Sequence, residues 1–213
     1  MSTRVYIDGT ISGPEDAKVS VFDRGFLYGD SVYEVMRSSG GRLVDLERHL
    51  LRLQKSADSL ALGTPEPREL RDAVTRTLQE AGNDESYVRI VITRGAGEVG
   101  LDTALAGRQS LVVIVKPLSL PAQQSYEEGI GVRLVNVQRT SAKAVDPSVK
   151  SGNYLNNILA LAEAKRSGDQ EAIMCDNEGR IAEGSSSNIF WFADGTLHTP
   201  SLSVGLLAGI TRQ

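Results

Sequence analysis

Residues 146–157 read Asp146-Pro-Ser-Val-Lys-Ser-Gly-Asn-Tyr-Leu-Asn-Asn157. Upstream lies an alternating apolar run, Gly131 to Gln138, with the period of two expected of a strand. Downstream, Ile158-Leu-Ala-Leu-Ala-Glu-Ala-Lys165 is built of strong helix formers. The stretch is therefore a handover from sheet to helix, and its single lysine, Lys150, sits at the junction. A lysine partly shielded from water loses some of the solvation that holds its proton and becomes a nucleophilic amine able to form a Schiff base. Most lysines are solvated, and an ordinary loop lysine is the competing reading. The local sequence leaves both open.

The same mixture of periods runs through the chain and predicts an α/β (α+β) protein. Val5-Tyr-Ile, Asp8-Gly9 and Thr10-Ile11 read as a hairpin, because Asp-Gly supplies the positive φ a tight turn needs. Ser31 to Arg37 reads as a strand with Tyr33, Val35 and Arg37 on one face and Val32, Glu34 and Met36 on the other, followed by a Gly40-Gly41 turn. Leu46, Leu50, Leu53, Ala57 and Leu60 mark an amphipathic helix with Asp45 at its N-cap; His49 and Arg52 lie off that stripe, as do Arg48 and Lys55, which read as solvated. Leu70, Val74, Leu78 and Ala81 mark a second helix that stops at Gly82. In the strand from Ser86, Val88, Ile90 and Ile92 form a core face, and Tyr87 shares the other face with Arg89. The glycine-rich stretch Gly95 to Gly100 lacks the spacing of a phosphate loop and reads as a flexible loop near a site. After the strand from Ser110, two prolines in Lys116-Pro-Leu-Ser-Leu-Pro121 mark a connector. The predicted organisation is a small N-terminal domain over 1–117, a connector over 118–125 and a larger domain over 126–213. In the latter, Glu171 to Gly184 and Asn188 to His198 each read as a hairpin.

Composition narrows the partners. The 213 residues are 40 % hydrophobic, enough for a sizeable core, and the formal charge of -4 argues against nucleic acid or an anionic membrane surface. A small molecule is the expected partner. Cys175 is the only cysteine, so no intrachain disulfide forms, and two histidines, His49 and His198, without a Cys/His cluster argue against a dedicated metal site. The opening residues Met-Ser-Thr-Arg-Val-Tyr-Ile-Asp-Gly have no apolar signal core, and the apolar runs are too short to span a bilayer. A cytoplasmic protein is expected.

Four separated fragments carry a more specific signal: His49-Leu-Leu-Arg52-Leu, Lys150-Ser-Gly-Asn-Tyr154, Glu183-Gly-x-x-x-Asn188-Ile-Phe and Leu206-Leu-Ala-Gly-Ile-Thr211. Together and in this order they resemble the class IV aminotransferases, the fold type IV pyridoxal 5'-phosphate enzymes that include the branched-chain and D-amino acid aminotransferases. The resemblance implies a two-domain fold and makes Lys150 the catalytic residue that carries the cofactor and shuttles a proton. It implies that Glu183 keeps the pyridine nitrogen protonated, that Arg52 binds the phosphate with help from Leu207 and the N–H groups of Ile210 and Thr211, and that Tyr154, oriented by Arg139, meets the ring oxygen. It also implies a homodimer, and that the C-terminal part of the large domain is missing from this chain.

For the substrate, Tyr28, Tyr87 and Arg89 match positions lining the branched-chain pocket, with Tyr33, Val35 and Arg37 beside them. Gly-Asp-Ser-Val-Tyr-Glu-Val-Met-Arg instead resembles the D-amino acid enzymes, yet the Arg-x-His carboxylate trap of those enzymes is absent after Thr93. Arg37 or Arg89 is then the expected clamp for a substrate or 2-oxoglutarate carboxylate, since a bidentate arginine matches that geometry. The expected reaction is transamination between a hydrophobic, branched-chain-like amino acid and 2-oxoglutarate. A D-amino acid transaminase and a lyase of the aminodeoxychorismate type are the alternatives.

Overall fold

Asp8 and Gly9, both at positive φ (47° and 107°), reverse the chain at once. In the computed structural model, which describes residues 2–141 and 143–213, this turn joins β1 (Arg4–Ile7) to β2 (Thr10–Ser12). A short helix α1 (Arg24–Tyr28) leads into β3 (Ser31–Ser39) and the two-residue β4 (Arg42–Leu43). Helices α2 (Leu46–Ser59) and α3 (Pro67–Ala81) follow, then strands β5 (Ser86–Thr93) and β6 (Ser110–Pro117). The strands form a six-stranded antiparallel sheet in the order β2-β1-β6-β5-β3-β4.

Register explains why one face of this sheet is covered. Tyr6 stands opposite Val113, Val113 opposite Ile90 and Ile90 opposite Glu34, so one row crosses four strands with three apolar side chains and an acid, all buried. Helices α2 and α3 pack on this face through Leu50, Leu53, Ala57, Leu70, Val74 and Leu78. Each fully buried leucine or valine contributes roughly 1.5–3 kcal/mol. On the opposite face Tyr33 is buried, while Val35, Arg89 and Val91 are only partly buried.

The outer edge of β3 is shared by two segments. β4 pairs only with Ser38 and Ser39, while the first half of β3 is met by Lys150–Gly152. The Tyr33 N–H donates to the Lys150 carbonyl (2.9 Å) and the Gly152 N–H to the Ser31 carbonyl (2.9 Å), so edge groups that would otherwise need solvent are paired. The chain accordingly divides into two units: Met1–Leu120 with Lys150–Gly152, and Pro121–Val149 with Asn153–Gln213.

The second unit contains α4 (Gln123–Glu127), β7 (Val132–Leu134), α5 (Leu155–Arg166), β8 (Glu171–Cys175) and β9 (Ile181–Gly184), followed by the hairpin β10 (Trp191–Ala193) and β11 (Thr196–His198). β7 runs parallel to β8, and β9 antiparallel to it. Ala160 and Ala164 of α5 enter a small core with Val135, Ala172 and Met174.

Several local expectations change. The run from Gly131 is a strand for three residues only, although the Val135 and Arg139 N–H groups still donate along β8 to the Ile173 and Cys175 carbonyls. Asp45 occupies the N-cap position of α2 in the left-handed region (φ 53°) and its side chain makes no cap hydrogen bond. The Gly95–Gly100 stretch is held rather than flexible: Arg24 donates to the Gly100 and Leu101 carbonyls (2.8 and 3.2 Å), and Ala96 and Gly97 form bridges with Asp23 and Ala106. Among the described residues no helix is long and apolar enough to cross a membrane, and no group of three His, Cys, Asp or Glu is placed to hold a metal ion.

Candidate active site

In the first unit, the edge pairing with β3 fixes the Lys150 backbone, whose N–H also donates to Ser56 Oγ of α2 (3.1 Å). The side chain is half-buried and aimed at Tyr33: its Nζ lies 3.3 Å from the Tyr33 hydroxyl and 4.4 Å from the ring centroid. The guanidinium of Arg89, from the neighbouring strand, lies 3.9 Å from the centroid of the same ring. One buried aromatic ring thus carries two cations, an arrangement that the negative π-face favours. The solvated-loop reading of Lys150 is replaced by a lysine pinned at both backbone and side chain.

The other expected substrate residues divide. Val35 is half-buried on the Tyr33 face, and Tyr87, on β5, has Lys116 Nζ 5.1 Å above its ring. Arg37 is exposed at the far end of β3, opposite Tyr87. Tyr28 ends α1, and its hydroxyl accepts from the Gly100 N–H (3.0 Å) with the Arg24 guanidinium 5.1 Å from its ring. Arg94 donates twice to Asp30 (2.7 and 3.0 Å) and to the Leu60 and Ala61 carbonyls (2.9 and 3.0 Å). Burial pushes the Asp30 carboxyl up, but hydrogen bonds from Arg94 and Arg24 outweigh it and leave it below the ordinary range.

Arg52 has a buried partner on the strand face opposite Tyr33. Its Nε and Nη2 donate to Glu34 Oε1 and Oε2 (2.6 and 2.7 Å), and His49 Nδ1 lies 2.8 Å from Oε2. An ionised carboxylate only accepts, so Nδ1 is the protonated nitrogen of His49. Burial alone raises the Glu34 carboxyl; the hydrogen bonds from Arg52 and His49 overcome it and hold it below the ordinary carboxylate value. The signal for this cluster was present in the sequence as an acid between Val32 and Met36, and as two basic residues three apart on one helix.

In the second unit, Glu183 is buried on β9 and both its oxygens are occupied. Arg139 Nε donates to Oε1 (2.7 Å) and the Leu207 N–H to Oε2 (3.2 Å). The Leu207 carbonyl accepts from Asn188 Nδ2 (3.0 Å), which ties the Leu206–Thr211 segment to the end of the Glu183–Asn188 run. Ile210 is buried and Thr211 exposed in a turn, where the Gln213 N–H reaches back to the Gly209 and Ile210 carbonyls. Tyr154 is half-buried at the N-cap position of α5. Arg139 is the ion-pair partner of Glu183.

The chain matches the family model described as amino-transferase class IV over residues 31–213. The chain belongs to the class IV aminotransferases. The class uses pyridoxal 5'-phosphate as cofactor. A Methanocaldococcus jannaschii protein that bears the name branched-chain-amino-acid aminotransferase is 40 % identical over 98 % of this class IV chain and 72 % of its own length. Aminodeoxychorismate lyase of Bacillus subtilis is 31 % identical, over 98 % of the chain and 71 % of the lyase. D-alanine aminotransferase of Staphylococcus epidermidis is also 31 % identical, over 99 % and 73 %. Among solved structures, the branched-chain aminotransferase of Thermoproteus uzoniensis superposes with a TM-score of 0.89 at 32 % identity, covering 99 % of this chain and 72 % of its own. The Escherichia coli branched-chain enzyme superposes with a TM-score of 0.93 at 28 % identity, covering 100 % and 72 %. The mixed sheet-and-helix architecture is therefore that of fold type IV.

Proposed function

We propose that this class IV chain is a transaminase that exchanges an amino group between a hydrophobic, branched-chain-like amino acid and 2-oxoglutarate, with Lys150 as its catalytic residue. The observation that carries the reading is the pinned amine, with Nζ 3.3 Å from the Tyr33 hydroxyl. The residues fit the cofactor by their chemistry: a primary amine for the aldehyde, a buried carboxylate already fixed by two donors for the pyridine nitrogen, and an arginine for the phosphate. When bound, pyridoxal phosphate supplies the electron sink that accepts negative charge from the substrate Cα.

The protein's own residues do the rest. Lys150 binds the cofactor and moves the proton at the substrate Cα, a general-base role that needs the amine positioned before the chemistry. Glu183 holds a proton on the pyridine nitrogen, from a carboxylate that Arg139 Nε fixes in place. Arg52, Leu207, Ile210 and Thr211 hold the phosphate, and Tyr154 hydrogen-bonds the ring oxygen. Arg89 clamps the substrate carboxylate in preference to the exposed Arg37, because it shares the Tyr33 ring with Lys150. Tyr28, Tyr33, Val35 and Tyr87 line the substrate side chain. The commitment of Arg94 to Asp30 and two carbonyls leaves it unsuited to a D-specific carboxylate trap, which supports the branched-chain over the D-amino acid reading.

The test is to incubate the chain with pyridoxal phosphate and L-leucine, D-alanine or aminodeoxychorismate. Glutamate formed from 2-oxoglutarate with L-leucine is the expected result. Glutamate from D-alanine alone identifies the D-amino acid enzyme, and pyruvate released from aminodeoxychorismate the lyase. Borohydride reduction with peptide mapping is expected to label Lys150; label on Lys55 or Lys116 instead removes the site assignment. A homodimer is proposed as the working form, supported by the exposed Val21, Phe22 and Phe26; light scattering giving one chain at high concentration refutes it.

A further inference from the structure

The Lys150 backbone is held from two sides within the first unit. On one side is the start of β3, where the Tyr33 N–H donates to the Lys150 carbonyl and the Gly152 N–H to the Ser31 carbonyl (2.9 Å each). On the other is α2, whose Ser56 Oγ accepts from the Lys150 N–H (3.1 Å). The fit against the strand is close: a Cβ on Gly152 would run into Ser31 Oγ and come within 3.2 Å of the Gly29 carbonyl oxygen. The lysine is therefore placed only as well as these two walls are placed relative to each other.

Arg94, the residue after β5, ties the two walls together. It meets segment 29–31 three times: its N–H donates to the Asp30 carbonyl (3.1 Å), its Nε to Asp30 Oδ2 (2.7 Å) and its Nη2 to Oδ1 (3.0 Å). The same guanidinium reaches the end of α2, where Nη2 and Nη1 donate to the Leu60 and Ala61 carbonyls (2.9 and 3.0 Å). Leu60 is the C-cap of that helix, where the partial negative charge of the helix dipole favours a cation. Arg24 steadies the carboxylate as a second donor, with its Nε 3.2 Å from Oδ2. The side chains of Arg24, Arg94 and Asp30 are 3 %, 12 % and 16 % exposed. Burying three charges is not an efficient source of stability, because desolvation consumes much of the Coulombic gain. What the arrangement does achieve is a fixed spacing: paired N–H donors on one carboxylate set the plane of the guanidinium as well as its distance, and that rigid plane spans from strand to helix.

We propose that Asp30 and Arg94 form a positioning pair for Lys150: by bracing the start of β3 against the end of α2, they set the slot in which the lysine backbone is bonded on both sides, and with it the point at which the amine meets an aldehyde. This rests on the reading of Lys150 as the catalytic lysine. The pair acts through the backbone, and a small displacement there is enough to matter, since misplacing a reacting group by about 1 Å can cost on the order of a hundredfold in rate. An ion pair that only stabilises the fold is the competing account. The two accounts part over the lysine: one predicts that its reactivity follows the pair, the other that it follows overall stability.

The experiment mixes the full chain with pyridoxal phosphate and follows imine formation by absorbance, with borohydride reduction and peptide mapping to locate the adduct. Hydrogen exchange on the same protein reads the Tyr33 and Gly152 N–H groups. The variants are Asp30→Asn and Arg94→Met, with Val74→Ala, a truncation in the buried face of α3, as the control for lost stability. Urea midpoints place all three on one scale. Asp30→Asn and Arg94→Met are expected to slow aldehyde capture at Lys150 roughly ten- to a hundredfold, and to speed exchange at Tyr33 and Gly152 more than at Ile90 and Val113 inside the sheet. Val74→Ala is expected to lower the midpoint and keep the wild-type capture rate. If Asp30→Asn and Arg94→Met also lose midpoint but capture the aldehyde at the wild-type rate on Lys150, the pair is purely structural and the proposal is overturned, while the reading of Lys150 stands. Wild-type label on a different lysine instead removes the reading of Lys150, and the positioning role goes with it. Arg94→Lys keeps the charge but not the fork, and is expected to fall between wild type and Arg94→Met. Should either of the first two variants not fold, Arg94→Lys takes its place, and a wild-type capture rate there refutes the positioning role.

Discussion

In the proposed reaction the chemistry depends on the pairing of Lys150 with Tyr33, and the two parts of Tyr33 are separable by substitution. Tyr33→Phe removes the hydroxyl 3.3 Å from Lys150 Nζ but keeps the ring beneath Arg89. Loss of one hydrogen bond with the packing retained is expected to lower kcat/KM by roughly two- to tenfold, read in steady-state assays of glutamate formation. Glu34 gives a second residue-scale outcome. Its folded pKa is held below the usual 4.5, so the unfolded chain binds its proton more readily. The stabilisation is present above that value and is lost as pH falls through the lower folded pKa. Urea midpoints measured from pH 7 to pH 3 are therefore expected to fall with acidity, and Glu34→Gln is expected to show a shallower acid limb. The sequence points to Lys150 only through its distant companions; alternation places Glu34 on the strand face opposite Tyr33 but says nothing of what reaches that face from a helix.

At the scale of elements, period and punctuation were the reliable guides. The hairpin at Asp8-Gly9, α3 with its stop at Gly82, and the buried face of Val88, Ile90 and Ile92 all follow from sequence spacing, since each is decided by neighbours a few residues apart. The stretch Gly95 to Gly100 was misleading for the opposite reason. Its glycines suggest freedom, but Gly95 is at φ +91°, and a Cβ there would run into the carbonyl oxygen of Arg108, a residue far along the chain. The glycine is present for close approach, and no local pattern reports that. Gly95→Ala is expected to destabilise the protein by about 2–3 kcal/mol, combining left-handed strain with a backbone clash; the shift in urea midpoint measures it. The short β7 has a similar origin, because the pairing along β8 continues only as separate hydrogen bonds to Val135 and Arg139. Helix α5 was legible as a helix but not in its orientation: Asn157, Ala160 and Ala164 face inward while Leu155, Ile158 and Leu159 are exposed.

For the molecule as a whole, cofactor and stability are linked. A ligand that binds only the folded chain stabilises it by about 2.7 kcal/mol when present at a hundred times its dissociation constant. Pyridoxal phosphate is therefore expected to raise Tm in a concentration-dependent way, and dialysis against a carbonyl scavenger to lower it again; differential scanning calorimetry provides the check. The pairing of Lys150 with β3 has a kinetic side as well. Lys150 and Tyr33 are 117 positions apart in the chain, so Lys150 acquires its setting only after most of the polypeptide has been closed into a loop. Closure of so long a segment is entropically disfavoured before the contacts it brings can reward it, and contacts of high sequence separation slow folding. During refolding, the backbone signal of the antiparallel sheet should thus recover first and the capacity of Lys150 to capture an aldehyde last, making the enzyme's competence the final event of its own assembly.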